Sequence, residues 1–346
     1  MKIRWLAGPA VCFALLILGA SLCLAQGRLP QRLHRARSGQ PAVTTPTPGA
    51  VPSSPSGYNF TLFNFPGKLE TDEPAGNPGA TASQQLITGS YFPNPPTDTE
   101  FGGFILESSS EDGVTTETIS TANYPGATDT YEFGINDQGQ VVGAYVDSKG
   151  IYHGFELSDG KYTAINVPFQ GAVDTYAFAL NDAGDIVGTW DTGDYELSQG
   201  FELAGGVYTQ IQFPGAVYTG PSSINSSGEI VGAYTTSPGP YWLGFSLSGG
   251  TYTPINVPGS ISTFVSGIND SGELTGWYCT EAGGSNCEDG YSGDLGFVES
   301  NGVYSSIAVP GFANTYLVSI SDSGVIVGWV TTQSGVVEQG LIAVPK

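Results

Sequence analysis

The chain has 346 residues with 50 Gly, 23 Pro, one Met and 12% aromatic residues, so helix formers are few and turn formers many, which excludes a helical bundle or coiled coil. An apolar fraction of 40% against 12% charged residues excludes general disorder, because there is surface to bury and too little charge to keep the chain solvated. A formal net charge of -22 excludes nucleic acid as a partner, since phosphates need Lys and Arg to displace their counterions.

Residues 1–25 carry a secretory signal pattern. Lys2 and Arg4 precede an apolar run from Ala10 to Ala20, and Cys23-Leu24-Ala25 supplies small residues at the positions a signal peptidase reads before Gln26. The run is broken by Gly19 and Ser21, whereas a membrane span wants about 18 or more apolar residues, so no integral span is expected after cleavage. Residues 26–57 are basic and then rich in Pro, Thr and Ser, without apolar periodicity, and read as a semi-extended linker. Six of the ten cations lie at or before Arg37, so four cations face 32 acids beyond it, a net charge of -28. The expected location is secreted, extracellular or periplasmic. Cys279 and Cys287, eight residues apart in a Gly/Ser/Asn-rich loop, are then expected to form a disulfide.

Residues 58–346 are repetitive. Gly-Phe recurs at Gly103, Gly154, Gly200, Gly244 and Gly296, with Gly340-Leu341 as a sixth copy, at intervals of 51, 46, 44, 52 and 44 residues. Pro168, Pro214, Pro258 and Pro310 each follow their glycine by 14 residues. An Asn-Asp-x-Gly mark or near variant comes next, at Asn136, Asn181, Asn225, Asn269 and Ser321, and each leads into an apolar run ending on Gly and an aromatic. Each unit reads as two hairpins. In the third copy, Gly200–Leu203 and Val207–Phe213 flank Ala-Gly-Gly, and Ser222–Asn225 and Glu229–Tyr234 flank Gly228, which is expected at positive φ.

Four strands per unit of about 40 to 45 residues is the spacing of a β-propeller blade. Tyr58-Asn-Phe-Thr-Leu-Phe63 matches an outer strand with no Gly-Phe strand before it, and Gly340-Leu-Ile-Ala-Val-Pro345 supplies a Gly-Phe strand with nothing after it. These complementary halves predict an all-β, six-bladed propeller of four-stranded blades, its ring closed by pairing the N-terminal and C-terminal strands. The inner hairpins are expected near 80–91, 129–145, 174–190, 218–234, 262–278 and 314–330. The first is irregular: Gly67 to Gly89 spans 22 residues where the other blades span 17, and its Asn-Asp-x-Gly turn is missing.

The unit Gly-Phe-x-Leu-x-x-Gly-x-Tyr-Thr-x-Ile-x-Val-Pro-Gly followed by Ile-Asn-Asp-x-Gly-x-Ile-Val-Gly resembles the HAF-type "probable extracellular repeat" of exported bacterial proteins, and Tyr152-His153-Gly154-Phe155 comes nearest its eponymous tripeptide. The resemblance covers residues 58–346. It implies an architecture and an exported location, and brings no catalytic residues with it.

Repeated residues are read as structural. Thr130, Thr175, Thr219, Thr263 and Thr315 are expected to bond the inner strand or blade crossover, and Tyr91, Tyr145, Trp190, Tyr234, Trp277 and Trp329 to pack between sheets. Function is expected where blades differ, in the connections between their second and third strands. Tyr152, His153, Tyr195, Tyr241, Trp242 and Tyr291 lie there and are aromatics of the kind that stack on sugars or anchor a protein partner. The expected function is a non-catalytic binding or scaffold module for a protein or polysaccharide, which a monomer is expected to recognise through the variable loops on one face of the ring. The alternative is a glycan hydrolase or lyase using Asp129, Asp174 and Glu132, which needs two carboxyls about 5 to 9.5 Å apart. His153 is the one His beyond the linker, so a Ser-His-Asp relay or His-based metal centre has little to draw on. No cofactor is expected. Calcium is the metal that the oxygen ligands Glu288, Asp289 and Asp294, or Asp191, Asp194 and Glu196, would suit, although neither set follows the Asp-x-Asp-x-Asp-Gly order.

Overall fold

The computed structural model describes residues 57–63, 71–75, 84–91, 102–111, 114–193, 198–236, 241–280, 293–332 and 338–346. Among them every regular element is a strand. Blade one comprises β2 (Thr71–Ala75), β3 (Gln84–Tyr91), β4 (Gly102–Glu111) and β5 (Val114–Thr121). Blade two follows with β6 (Asp129–Ile135), β7 (Val141–Val146), β8 (Tyr152–Ser158) and β9 (Lys161–Ile165). Blade three holds β10 (Asp174–Leu180), β11 (Ile186–Asp191), β12 (Gln199–Ala204) and β13 (Val207–Ile211). Blade four holds β14 (Tyr218–Ile224), β15 (Ile230–Thr235), β16 (Leu243–Ser248) and β17 (Thr251–Ile255). Blade five holds β18 (Ser262–Ile268), β19 (Leu274–Cys279), β20 (Leu295–Ser300) and β21 (Val303–Ile307). Blade six is β22 (Asn314–Ile320), β23 (Ile326–Thr331), β24 (Glu338–Pro345) and, from the other end of the sequence, β1 (Tyr58–Phe63).

The protein is therefore a six-bladed β-propeller. Each sheet is four-stranded and antiparallel, with strands A to D running outward in chain order, except that β1 supplies strand D of blade six. Tyr58 pairs with Pro345 and Phe63 with Gly340, which removes the two unpaired edges that an open array would leave.

Four features of the repeat account for the packing. The Phe after each C-strand glycine is the centre of a blade interface: Phe155, Phe201, Phe245 and Phe297 are fully buried, as is Leu341. The glycine ending the apolar run of strand B has no room for a side chain, since a Cβ on Gly188 would lie 1.9 Å from the carbonyl oxygen of Tyr176. The C–D hairpins turn on residues that accept positive φ, as at Gly205 (55°) and Gly206 (80°), and Gly228 in an A–B turn is at 79°. The recurring threonines are buried, and their hydroxyls accept from the crossover backbone: Tyr124 N to Thr130 at 3.0 Å, Val167 N to Thr175 at 3.4 Å, Phe213 N to Thr219 at 3.0 Å, Val257 N to Thr263 at 3.1 Å and Val309 N to Thr315 at 3.1 Å.

Two expectations need correction. The inner strand of blade one lies earlier than residue 80, at Thr71–Ala75, and Thr71 faces Tyr91 as Thr130 faces Tyr145 in blade two. Trp277 and Trp329 do not share the position of Tyr145, Trp190 and Tyr234. They sit one residue early, opposite Phe264 and Tyr316, and the period of two turns them to the other face of the sheet. There Trp277 stacks on Phe264 at 4.2 Å and Trp329 on Tyr316 at 4.1 Å.

Candidate functional site

The inner strands of blades two to six each break register once, between Glu132 and Gly134, Ala177 and Ala179, Pro221 and Ser223, Val265 and Gly267, and Leu317 and Ser319. A bulge re-aims the skipped side chain. The skipped residues are Phe133, Phe178, Ser222, Ser266 and Val318, and all five line a central cavity of about 110 Å³. Its wall is two-sided. Phe133 and Phe178 meet at 5.2 Å, while Ser222 and Ser266 donate to the carbonyl oxygens of Val265 and Leu317 in the next blade.

The A–B turns form the rim of this cavity. Asn136, Asn181, Asn225 and Asn269 are buried, and the side-chain amide of each donates to the backbone oxygen of the equivalent residue one blade on, at 3.1 to 3.2 Å. Their Oδ1 atoms accept the N–H groups of their own turns, as Asn181 does from Ala183 and Asp185 at 3.1 and 2.9 Å. Next to these lie Asp137, Asp182, Ser226, Asp270 and Asp322, all on the cavity lining. Carboxylates also bridge blades: Asp182 accepts from Asp137 N at 3.2 Å, Asp270 from Ser226 N at 2.8 Å and Asp322 from Asp270 N at 2.8 Å. The Asp137 carboxyl is held above its ordinary range by partial burial, then by the negative charges of Asp182, Asp322 and Asp270. An acid-rimmed mouth with a mixed aromatic and hydroxyl throat attracts cationic groups and has apolar surface for the stem behind the charge.

The opposite, B–C end of the ring is filled by rings. Tyr131, Phe133, Tyr176, Phe178 and Phe264 are buried in one cluster, with half-buried Tyr152, Trp242 and Trp277 packed against it. Of the expected binding residues, Tyr152 lies between Tyr131 and Tyr176, with centroids at 6.2 and 5.1 Å. Its phenol is pushed up to about 12 by burial first, then by the Asp129 and Asp174 carboxylates. Trp242 faces Tyr218 and Phe264, and Tyr241 beside it is 46% exposed. His153 belongs to a different place: it stacks on Tyr145 at 5.0 Å, meets Asn166 Oδ1 through Nδ1 at 2.6 Å, and lies 3.5 Å from Asp147 Oδ2 through Nε2. Tyr195 and Tyr291 lie outside the described residues.

Of the carboxylates of the hydrolase alternative, the pleat sets Glu132 apart from Asp129. Asp129 and Glu132 stand on opposite faces of β6, with Glu132 directed at Gly103 and Thr88 of blade one. Asp174 is buried, accepts from Tyr152 N at 2.8 Å across the blade junction, and hydrogen-bonds the Asp191 carboxyl, with burial the main cause raising its pKa. Cys279 is disulfide-bonded at the end of β19, and Cys287 lies outside the described residues. Of the two oxygen sets considered for calcium, Asp294, just before β20 of blade five, accepts from Tyr316 Oη of blade six at 2.8 Å and Asp191 caps Gly193 N at 2.7 Å in blade three; Glu288, Asp289, Asp194 and Glu196 lie outside the described residues.

Sequence reasoning passed over the acidic mouth, because Asn-Asp-x-Gly is a turn signature in any one blade. The signal was its recurrence: in a closed ring, a residue repeated once per blade becomes a circle.

No family model and no curated protein matches the chain. Among solved structures it is similar to TolB from Acinetobacter baumannii, at 12% identity and a TM-score of 0.41, over 79% of this chain and 53% of that one. The chain thus spans about half the length of that relative. It is also similar to a fucose-specific lectin from Aleuria aurantia (13% identity, TM-score 0.40, 77% of this chain and 96% of that one). A third similarity is to YCF48 bound to D1 peptide (13% identity, TM-score 0.42, 86% and 99%).

Proposed function

We propose that this protein is an exported, non-catalytic binding module built from HAF-type repeats, and that it takes a basic segment of a partner protein at the acid-rimmed mouth of its central cavity. Export is supported by the signal pattern of residues 1–25, and the repeat type by the marks at fixed offsets over residues 58–346. The observation that carries the ligand class is the convergence of Asp137, Asp182, Asp270 and Asp322 on one cavity whose throat is part aromatic and part hydroxyl. Size narrows it further. At about 110 Å³ the cavity is well below the ~300 to 1,000 Å³ that encloses a drug-sized ligand, and suits one long side chain entering from a bound chain.

Calorimetric titration with a Lys/Arg-rich peptide, a Glu-rich counterpart and a neutral oligosaccharide tests this reading. The basic peptide is expected to bind, with affinity falling as salt rises. The triple change Asp182→Asn, Asp270→Asn, Asp322→Asn keeps each acceptor oxygen while removing charge, and is expected to weaken binding by at least about tenfold. Unchanged affinity in that variant rejects the mouth as the site. A second reading, a polysaccharide stacking on the B–C face, is favoured by the exposure of Tyr241 beside Trp242. It expects oligosaccharide binding that is lost in Tyr241→Ala, Trp242→Ala and insensitive to the aspartate changes. The hydrolase alternative is left without support from Glu132, which faces away from Asp129 into a blade interface.

A further inference from the structure

Glu132 occupies a position that the other blades with the same inner hairpin give to apolar side chains. Its counterparts opposite the strand-B glycine are Ala177, Pro221, Val265 and Leu317. Glu132 is 1% exposed, and a Cβ on Gly103 of blade one would lie 2.7 Å from its carboxyl carbon. The carboxyl is thus pressed into the junction between blades one and two.

The hydrogen bonds around this carboxyl favour its protonated form. Oε2 of Glu132 contacts the Thr88 hydroxyl, and that hydroxyl also donates to the Phe104 carbonyl oxygen at 2.9 Å. A threonine has one hydroxyl proton, and a carbonyl oxygen has none to offer. With Glu132 ionised, the one Thr88 proton serves two acceptors, the Glu132 carboxylate and the Phe104 carbonyl; with Glu132 protonated, each of the two contacts has a proton of its own. Its other oxygen, Oε1, is buried with no hydrogen-bond partner among the described residues, which is costly for a carboxylate and far less so for the carbonyl oxygen of a neutral acid.

Among the described residues the surroundings supply no counterion. Around Glu132 stand Thr88 of β3, Gly103 and Phe104 of β4, the Ala122 carbonyl of the crossover, Gly143 of β7 and, from β9, the Tyr162 phenol, which is pushed up to about 12 by burial and then by the charge of Glu132. Tyr162 is the ionisable group among the described side chains that feels this carboxyl, and no described cation pairs with it. Burial raises the Glu132 pKa well above the carboxylate range, outweighing the opposing contact with Thr88.

We propose that Glu132 is a proton-dependent latch between blades one and two: protonated it closes the junction through Thr88, and on losing its proton it loosens that junction before any other in the ring. The sign follows from linkage. The folded state holds a proton that the unfolded state releases at a lower pH, so the stability from this group is full below the unfolded glutamate value and is lost as pH rises through the folded one.

Thermal unfolding of the full chain and of Glu132→Gln, from about pH 5 to about pH 9, reads the latch. The wild-type Tm is expected to fall at least about 3 °C further than that of the variant across the interval. Parallel curves overturn the proposal. Should Glu132→Gln fail to fold, Glu132→Leu restores the residue of blade six at this position. Amide exchange of wild type alone gives an independent check: protection of β3 and β4 should fall first as pH rises, after correction for intrinsic exchange, and a loss spread evenly over the six blades overturns the latch.

Discussion

The two ends of the central channel are made from the same hairpins yet differ in kind. At the A–B end, four asparagines repeat one bond, each amide reaching the next blade at 3.1 to 3.2 Å. At the B–C end, an equivalent backbone N–H is met by a different side chain at three junctions: Asp174 accepts from Tyr152 N, Ser262 from Trp242 N and Asn314 from Asp294 N, at 2.8, 2.9 and 3.1 Å. Large rings then fill the space between them. The repeated end is a girdle whose members depend on one another, and the varied end is a set of separate ties. Charge follows the same division, because a turn residue chosen once per blade accumulates around the axis.

The severest test removes the circle on which both ends depend. Deleting Leu341 to Lys346 takes away most of the partner of β1 together with buried Leu341 and Ala343, and is expected to lower Tm by more than about 10 °C in a calorimetric scan. Deleting residues 26–56 should change it by less than about 2 °C. Equal effects would mean that the closing hairpin contributes little.

A smaller effect separates the ends themselves. Asn181→Ala removes a girdle bond and leaves the Ala183 and Asp185 N–H groups and the Asn225 oxygen short of a partner, for an expected loss of about 2 to 4 kcal/mol in denaturant unfolding. Ser262→Ala, which removes one tie at the other end, should cost about 1 kcal/mol. Similar losses would erase the distinction between girdle and ties.

The smallest effect concerns the rim. The folded-state pKa of Asp137 is raised, so its unfavourable contribution is absent at low pH and grows as pH rises through the folded value. Asp137→Asn is expected to stabilise the protein near neutral pH by a few tenths of a kcal/mol, an amount kept small by solvent screening and reduced further by salt. A destabilised variant would show that the carboxylate is favourable where it stands.

Blades two to six were legible because their marks sit at fixed offsets, and the inner hairpins expected near 129–145 and 314–330 extend one residue further in the structure, to Val146 and Thr331. Blade one was harder to read. Thr71-Asp-Glu-Pro-Ala75 has no apolar alternation, and its pairing with β3 is irregular between Asp72 and Ala75, so nothing local marked it as a strand. Trp277 and Trp329 were misplaced for another reason: aromatic identity was followed where register decides, and a slip of one residue changes the face. Glu132 looked like a candidate acid by its nearness in sequence to Asp129. The pleat and Gly103 of a neighbouring blade, neither visible in local sequence, set its actual surroundings.

The closing hairpin also makes the order of the blades along the polypeptide a matter of convention. The Lys346 amide donates to the Gly57 carbonyl oxygen at 2.8 Å, so a short peptide can join residue 346 to residue 57 without spanning any distance. Opening the backbone at the Gly205-Gly206 turn, where β12 and β13 pair from Gly200 to Ile211, then moves the three-plus-one closure from blade six to blade three. Such a circular permutant keeps every sheet and replaces a hydrogen-bonded seam with a covalent one.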